Sequence, residues 1–208
     1  MNARVQTSGN LPPRYVIFTL ICLVVCAPWA MAKELSENPT TLNLEAGGTV
    51  RMNLSTGTVE IVGVPDDSIR VSWHSSSPEE ERDVSVKLQR SGSKDATVVV
   101  DGPSDRMHYR IEVPQQSNVA IRMRAGDLDV HGILGSVEAH LLAGNMDLRV
   151  AEPGHYHTVS ASVTAGELTA RPWRIDTGGL WRSFKANSDG EYNLRAEVLA
   201  GQLTIRSE

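Results

Sequence analysis

Two histidines that lie close together in the chain are candidates for metal binding. His155 and His157 flank a single tyrosine, and residues two apart point to the same face of a strand, so their imidazoles could share a zinc or nickel ion. His131 and His140 could lie on neighbouring turns of a repeating fold. However, the spacing fixes no third ligand. The pattern therefore favours loop histidines beside Pro153-Gly154, and we predict no metal site and no cofactor.

Three aspartates, Asp127, Asp129 and Asp147, are candidates for glycoside chemistry. Polysaccharide-cleaving β-helices gather acidic residues on one open face, and stacked carboxylates raise one another's pKa. Asp129 and Asp147 are equivalent positions of a repeat, but Thr169 and Thr204 take that position in later copies. This substitution favours an outward polar position. Motifs for a nucleophile elbow, a zinc protease or phosphate binding are absent from the sequence, and we predict no catalytic residue.

The three aspartates belong to a short repeat in the second half of the chain. Its copies read AGDLDV, AGNMDL, AGELTA and AGQLTI, and a looser copy, TGTVEI, begins at Thr56. The repeated glycines are Gly126, Gly144, Gly166 and Gly201, which lie 18, 22 and 35 residues apart. In each copy glycine permits a tight turn, and the two apolar residues that follow at alternate positions point to one face of a strand.

A repeat of about 20 residues with glycine at fixed turns is typical of a parallel β-solenoid. We therefore predict an all-β fold, a right-handed parallel β-helix-like stack of short strands over residues 119–208. Residues 41–118 also alternate as strands and form an N-terminal β region with antiparallel or sandwich-like pairing. The two regions make one continuous domain, 41–208. The longest interval holds Trp173, Trp181 and Phe184, which we expect to cover the end of the stack.

The N-terminus has the features of a secretory signal peptide. Arg4 and Arg14 precede an apolar run, and Ala30-Met31-Ala32 fits a signal peptidase site. We interpret residues 1–32 as the leader and 33–40 as a linker. An uncleaved anchor and a lipoprotein modified on Cys26 are the alternatives.

The composition after removal of this leader narrows the possible partners. Both cysteines of the chain lie within the leader, so the remainder has no disulfide and no thiol site. The leader holds two of the 20 basic residues and no acidic one, which leaves 18 basic against 25 acidic residues. This balance argues against nucleic acid and against an anionic membrane surface as partners. We therefore expect membrane contact only through an uncleaved leader.

The segment from Tyr109 to Val150 resembles a family of bacterial exported proteins. It contains an I-x-V-P strand ending, V-x-I strands and serial steps of glycine followed by alternating apolar residues. In these features it is similar to adhesin-like domains of unknown function, of the auto-transporter adhesin head type. The resemblance implies a right-handed β-helix or solenoid-like sheet stack, export from the cytoplasm and no established enzymatic role.

These observations together predict a non-catalytic exported protein of the cell envelope or surface. It would act as an adhesin-like scaffold or binding module in the periplasm or on the cell surface, with an envelope protein or a glycan as its partner. A carbohydrate-active enzyme that uses Asp127, Asp129 or Asp147, and a periplasmic metal-binding protein that uses His155 and His157, are the alternatives.

Overall fold

The fold consists almost entirely of β-strands, as the alternating sequence predicts. The computed structural model describes residues 37–103, 105–150 and 152–208, so the predicted leader and the first half of the linker lie outside the described residues. In the described residues no helix is both long and apolar enough to cross a bilayer. The elements there are β1 (Thr40–Asn43), β2 (Thr49–Val64), β3 (Ser68–His74), α1 (Pro78–Arg82), β4 (Ser85–Arg90), β5 (Ala96–Asp101), β6 (His108–Pro114), β7 (Asn118–His131), β8 (Val137–Val150), β9 (Tyr156–Ala170), β10 (Ile175–Asn187) and β11 (Tyr192–Ser207), with 3₁₀ turns at Pro153–His155 and Arg171–Trp173.

All eleven strands belong to one mixed sheet. The main order is β1-β3-β6-β2-β7-β8-β11-β9-β10, and β5 joins β4 to β2. The strands that carry the glycine repeat, β7, β8, β11 and β9, pair in parallel, and β2 pairs in parallel with β7. Antiparallel pairs occur near both ends of the sheet, where β3 joins β1 and β6, β4 joins β5, and β10 joins β9. The N-terminal region is thus partly antiparallel.

Each repeat strand bends at its glycine into a first arm before it and a second arm after it. In β7, Met123 and Leu128 are five residues apart, so a straight strand would point them to opposite faces. Both side chains are nevertheless buried in one continuous hydrophobic core. Gly126 between them has φ +116°, a backbone conformation that favours glycine. The turn at this glycine therefore directs both arms toward a shared core. The same spacing of buried residues recurs as Leu54/Val59, Leu141/Met146, Val163/Leu168 and Val198/Leu203.

The glycines themselves form a ladder across the sheet. In register they run Gly57, Gly126, Gly144, Gly201 and Gly166. A Cβ atom on Gly126 would lie 2.0 Å from the carbonyl oxygen of Gly57, and one on Gly144 would lie 1.9 Å from that of Gly126. Glycine is therefore required twice over, because of the positive φ and because the next strand approaches too closely for a side chain.

In the predicted solenoid, successive coils would stack in the order in which they occur along the chain. The observed order of the strands differs from this. The last repeat strand, β11, lies between β8 and β9 and pairs in parallel with both. The chain turns at Arg171–Trp173, adds β10 antiparallel on the outer side of β9, and then returns to fill the inner position. This insertion keeps the core in register because small side chains meet there: Ala196 pairs with Ala139 and with Ala161.

We expected aromatic side chains to cover the end of the sheet, and the structure differs from this expectation. Trp173 and Phe184 pack together, with ring centroids 5.6 Å apart, and are partly buried against the core. Trp181 is 79 % exposed, so it does not cover the edge. The strand β10 takes that place instead, and its Gly179 continues the glycine turn next to Gly166.

We predict that Gly144→Ala destabilises the protein severely. The new Cβ would meet the Gly126 carbonyl at 1.9 Å, and φ at this position is +129°. Backbone strain and overpacking together should lower the free energy of unfolding by about 3–5 kcal/mol. Urea denaturation followed by circular dichroism measures this loss.

Gly92→Ala is the matched control. Gly92 also has a positive φ, +101°, but a Cβ there meets nothing within 4 Å. Only backbone strain applies, so the expected loss is about 1–2 kcal/mol. Equal losses in the two variants would show that close approach at the glycine ladder is unimportant.

Candidate functional site

The second arms present a row of polar side chains that crosses the sheet. Glu60 on β2 pairs with Asp129 on β7, which pairs with Asp147 on β8. The row continues through Thr204 on β11 to Thr169 on β9. The acids considered for catalysis, Asp129 and Asp147, are therefore direct neighbours on one face, as their equivalent positions in the repeat suggest.

Arginines from the next row of the same face bind these carboxylates. Arg149 donates a hydrogen bond of 2.7 Å to Asp129 Oδ2. The guanidinium of Arg206 donates through both Nε and Nη2 to Asp147, with Nε 2.8 Å from Oδ1. Asp127, one row nearer the glycine turn, accepts a hydrogen bond of 2.8 Å from Asn145. The arrangement neutralises the two central carboxylates in pairs, which differs from the mutual repulsion of a catalytic acid pair.

Glu60 has the same kind of environment at the other end of the row. Arg110 donates a hydrogen bond of 2.5 Å to Glu60 Oε2, and His131 Nε2 lies 3.1 Å from Oε1. Partial burial raises the pKa of Glu60, but the hydrogen bonds from His131 and Arg110 outweigh it and hold the pKa below 4.5. The carboxylate is therefore a hydrogen-bonding partner of both Arg110 and His131.

A groove of about 510 Å³ borders this row at β3 and β6. Its lining includes Glu60, Asp129 and Arg110, together with His74 and His108, whose rings stack 4.9 Å apart. Beneath them lies Tyr109, which is buried, and burial together with the charge of Asp101 raises its pKa to about 12. The groove is polar at its rim, and its floor is part of the core.

The histidines singled out from the sequence occupy separate places. His155 lies in the 3₁₀ turn Pro153–His155, where its Nε2 is 2.7 Å from the Leu134 carbonyl oxygen. His157 lies at the start of β9, with Nδ1 3.1 Å from the Ser188 carbonyl oxygen. Each ring thus has its own backbone partner, and they do not share a strand face as the sequence suggested. His131 and His140 lie on different arms. In the described part of the chain, no three metal-ligating side chains form a group.

On the first arm, a histidine joins two acids that the sequence analysis did not single out. His140 on β8 has Nε2 2.9 Å from Glu138 Oε1 and Nδ1 3.0 Å from Glu197 Oε2. Glu197 also accepts hydrogen bonds from Arg195. The hydrogen bond from His140 lowers the pKa of Glu138 below 4.5 and outweighs the opposing effect of partial burial. The charges of His140, Arg195 and Arg122 lower the pKa further.

A second groove lies beside this network. It has a volume of about 540 Å³ and crosses β5, β2, β7 and β8. We call it the first-arm groove, and its exposed or partly exposed lining side chains are Asn53, Val99, Asp101, Arg122, Arg124, His140 and Leu142. Sequence reasoning missed this site because its residues come from four strands whose pairing the repeat alone does not reveal.

We predict that His140→Ala raises the pKa of Glu138 toward 4.5, because it removes the main cause of the depression. Since the folded pKa is depressed, the stabilisation from Glu138 is present above pH 4.5 and is lost as pH falls through the folded pKa. The stability difference between wild type and His140→Ala should therefore shrink on acidification. Carboxyl ¹³C NMR titration and urea denaturation at several pH values measure both effects.

His157→Ala is the control, because His157 bonds the Ser188 carbonyl and not a carboxylate. Its stability difference from wild type should not follow the titration of Glu138. An unchanged Glu138 titration in His140→Ala would contradict the assigned cause.

The comparisons with known proteins concern the fold alone. No protein-family model and no curated protein matches the chain. A solved structure that is similar belongs to a candidate cell adhesion protein from Clostridium sporogenes, determined at 1.95 Å resolution. The two chains are 11% identical, and the match covers 83% of this chain and 100% of the other, with a TM-score of 0.52. The all-β architecture is therefore shared with a candidate adhesion protein, in partial agreement with the adhesin-like resemblance.

Proposed function

We propose that the protein is a non-catalytic, exported binding module of the cell envelope or cell surface. Its stacked glycine turns serve as a rigid, solenoid-like support, and its two outward faces present polar side chains to an envelope protein or a glycan. In this adhesin-like role the protein acts in the periplasm or at the surface.

The observation that carries this proposal is the pairing of acids with arginines on the second arm. Asp129 with Arg149, and Asp147 with Arg206, form ion pairs, and both oxygens of Asp147 accept hydrogen bonds from the same guanidinium. The second oxygen of Asp129 has no hydrogen-bond partner among the described residues, but it is buried away from solvent. Such cross-strand pairs stabilise a sheet face and give it a fixed pattern of charges. A fixed pattern of this kind suits recognition better than proton transfer.

The likeness to the Clostridium sporogenes protein supports the proposal at the level of architecture. One fold supports many functions, so the argument for binding depends on the surface itself and not on the name of the neighbour. The support from the fold is that a stack of paired strands presents side chains at about 4.8 Å intervals across a wide face. Extended partners can contact several such intervals at once.

The test is binding of the purified protein to envelope fractions of the producing cell. We expect saturable binding by the wild type and by Gly154→Ala, where a Cβ meets nothing within 4 Å. Gly144→Ala, which disrupts the glycine ladder, should lose it. Equal retention of all three proteins would indicate nonspecific adsorption and contradict the proposal.

Two assays on the same preparations test the alternatives. Turnover of uronate polymers that disappears in Asp129→Asn would identify the protein as an enzyme and contradict the non-catalytic proposal. Calorimetric zinc binding that is lost in the His155→Ala, His157→Ala double variant would identify a metal-binding protein instead. We expect no turnover and the same zinc isotherm for both proteins.

A further inference from the structure

The two outward faces of the sheet use their arginines differently. Arg149 and Arg206 on the second arm, and Arg110 on β6 beside it, each contact a carboxylate within 3.2 Å. These arginines cross-link neighbouring strands, and their charges are balanced by the acids of the same face. They are consequently part of the scaffold and offer little attraction to an outside anion.

On the first arm, Arg51 and Arg122 are exposed and have no ion pair among the described residues. The acids Glu138 and Glu197 of this face already have other partners, since Glu138 is hydrogen-bonded to His140 and Glu197 accepts hydrogen bonds from Arg195. Arg122 is close enough to Glu138 to lower its pKa through charge alone. Two guanidinium groups on this face therefore keep most of their hydrogen-bonding capacity for an external ligand.

The strand register brings these two arginines together. Arg51 on β2 pairs with Ala120 on β7, and Asn53 pairs with Arg122. All three polar residues point outward, because the residues between them are buried. With neighbouring strands about 4.8 Å apart and a rise of about 3.3 Å per residue, the two arginine Cα atoms lie about 8 Å apart. Asn53 is two residues from Arg51 on β2 and directly opposite Arg122 on β7, so its amide is a donor and acceptor next to both.

The arginines border two adjoining grooves. Arg122 and Asn53 line the first-arm groove and also a second one of about 290 Å³, whose lining adds Arg51 and Glu138. Arg124 stands at the opposite end of the first-arm groove, 3.5 Å from Asp101, with both side chains at least 67% exposed. A contact this long and exposed contributes little, so Arg124 is also able to reorient toward a ligand.

We propose that the first-arm groove and the adjoining one bind an acidic polysaccharide. This inference rests on the proposed binding function and specifies the class of its ligand. Arg51 and Arg122 pair with carboxylate or sulfate groups of successive sugars, and a guanidinium binds such groups through two parallel hydrogen bonds. Asn53 bonds ring hydroxyls. Val99 and Leu142, on opposite sides of the groove, pack against the apolar faces of the rings.

The same features disfavour other anionic partners. A duplex or single-stranded nucleic acid requires many phosphate contacts or aromatic stacking, and the groove has no aromatic lining residue other than His140. An anionic membrane attracts clusters of about four to eight basic residues. The chain as a whole carries a net charge of −5, which disfavours general attraction to polyanions.

The experiment is calorimetric titration of the full-length protein with oligogalacturonate, with an oligosaccharide sulfate, and with a neutral maltooligosaccharide. We expect binding of one or both acidic ligands and none of the neutral one. Raising the salt from about 20 mM to about 200 mM should weaken the interaction, because the arginines are exposed. The two acidic ligands distinguish carboxylate from sulfate recognition.

The variants are chosen so that total charge is matched. Arg51→Gln/Arg122→Gln should lower the affinity at least about tenfold. Arg171→Gln/Lys185→Gln removes the same charge from exposed positions in the Arg171–Trp173 turn and on β10, and should stay within about twofold of wild type. If the first double variant fails to fold, Arg51→Lys/Arg122→Lys keeps the charge but loses the paired hydrogen bonds, and its affinity should also fall.

The outcomes separate this inference from the proposed function. Absence of binding to both acidic ligands, equal binding of the neutral ligand, or equal losses in the two glutamine variants would each overturn the acidic-polysaccharide site. If saturable binding to envelope fractions persists in that case, the binding module stands with a different ligand. If envelope binding is also absent, both proposals fail.

Discussion

The whole fold depends on close approach of backbone to backbone at the glycine turns. A Cβ on Gly201 would lie 1.8 Å from the carbonyl oxygen of Gly144, and one on Gly166 would lie 1.7 Å from that of Gly201. Only glycine lets five strands turn at the same level and remain hydrogen-bonded on both sides of the turn. Because both arms of each strand then face one core, burial of apolar side chains on either arm stabilises the turn. The turn in its own right fixes which residues of each arm are buried.

The sequence reveals the turn more readily than the arrangement of strands around it. Alternating apolar residues on both sides of Gly126 predict strands, and the recurrence at Gly144, Gly166 and Gly201 predicts that they stack. The position of β11 between β8 and β9 was not predictable in this way, because the copies are nearly equivalent. Any two of them can pair with their apolar positions in register, so the local pattern does not select among the possible orders.

The candidate sites were less predictable for a related reason. Asp129 and Asp147 were recognisable as equivalent positions, but their partners Arg149 and Arg206 lie two residues further along neighbouring strands, and contact between them depends on the order of the strands. The same holds for His140, whose two carboxylate partners come from its own strand and from β11. A pattern read along the chain shows which side chains point outward, whereas the pairing across the sheet decides their chemistry.

The division between turn and arm also explains how such a scaffold can carry specificity. The residue that follows the ladder glycine is Asp127, Asn145, Gln202 or Glu167 in the four repeat strands, so polarity is kept there while charge varies. Outward positions further along the arms differ even more, because their side chains do not enter the core. Substitution at those positions changes the surface at little cost to stability, whereas substitution at the glycines disturbs every neighbouring strand. Recognition is therefore expected to reside in the arms, where the first arm leaves Arg51 and Arg122 without an ion pair among the described residues and the second arm pairs Arg149 and Arg206 with aspartates.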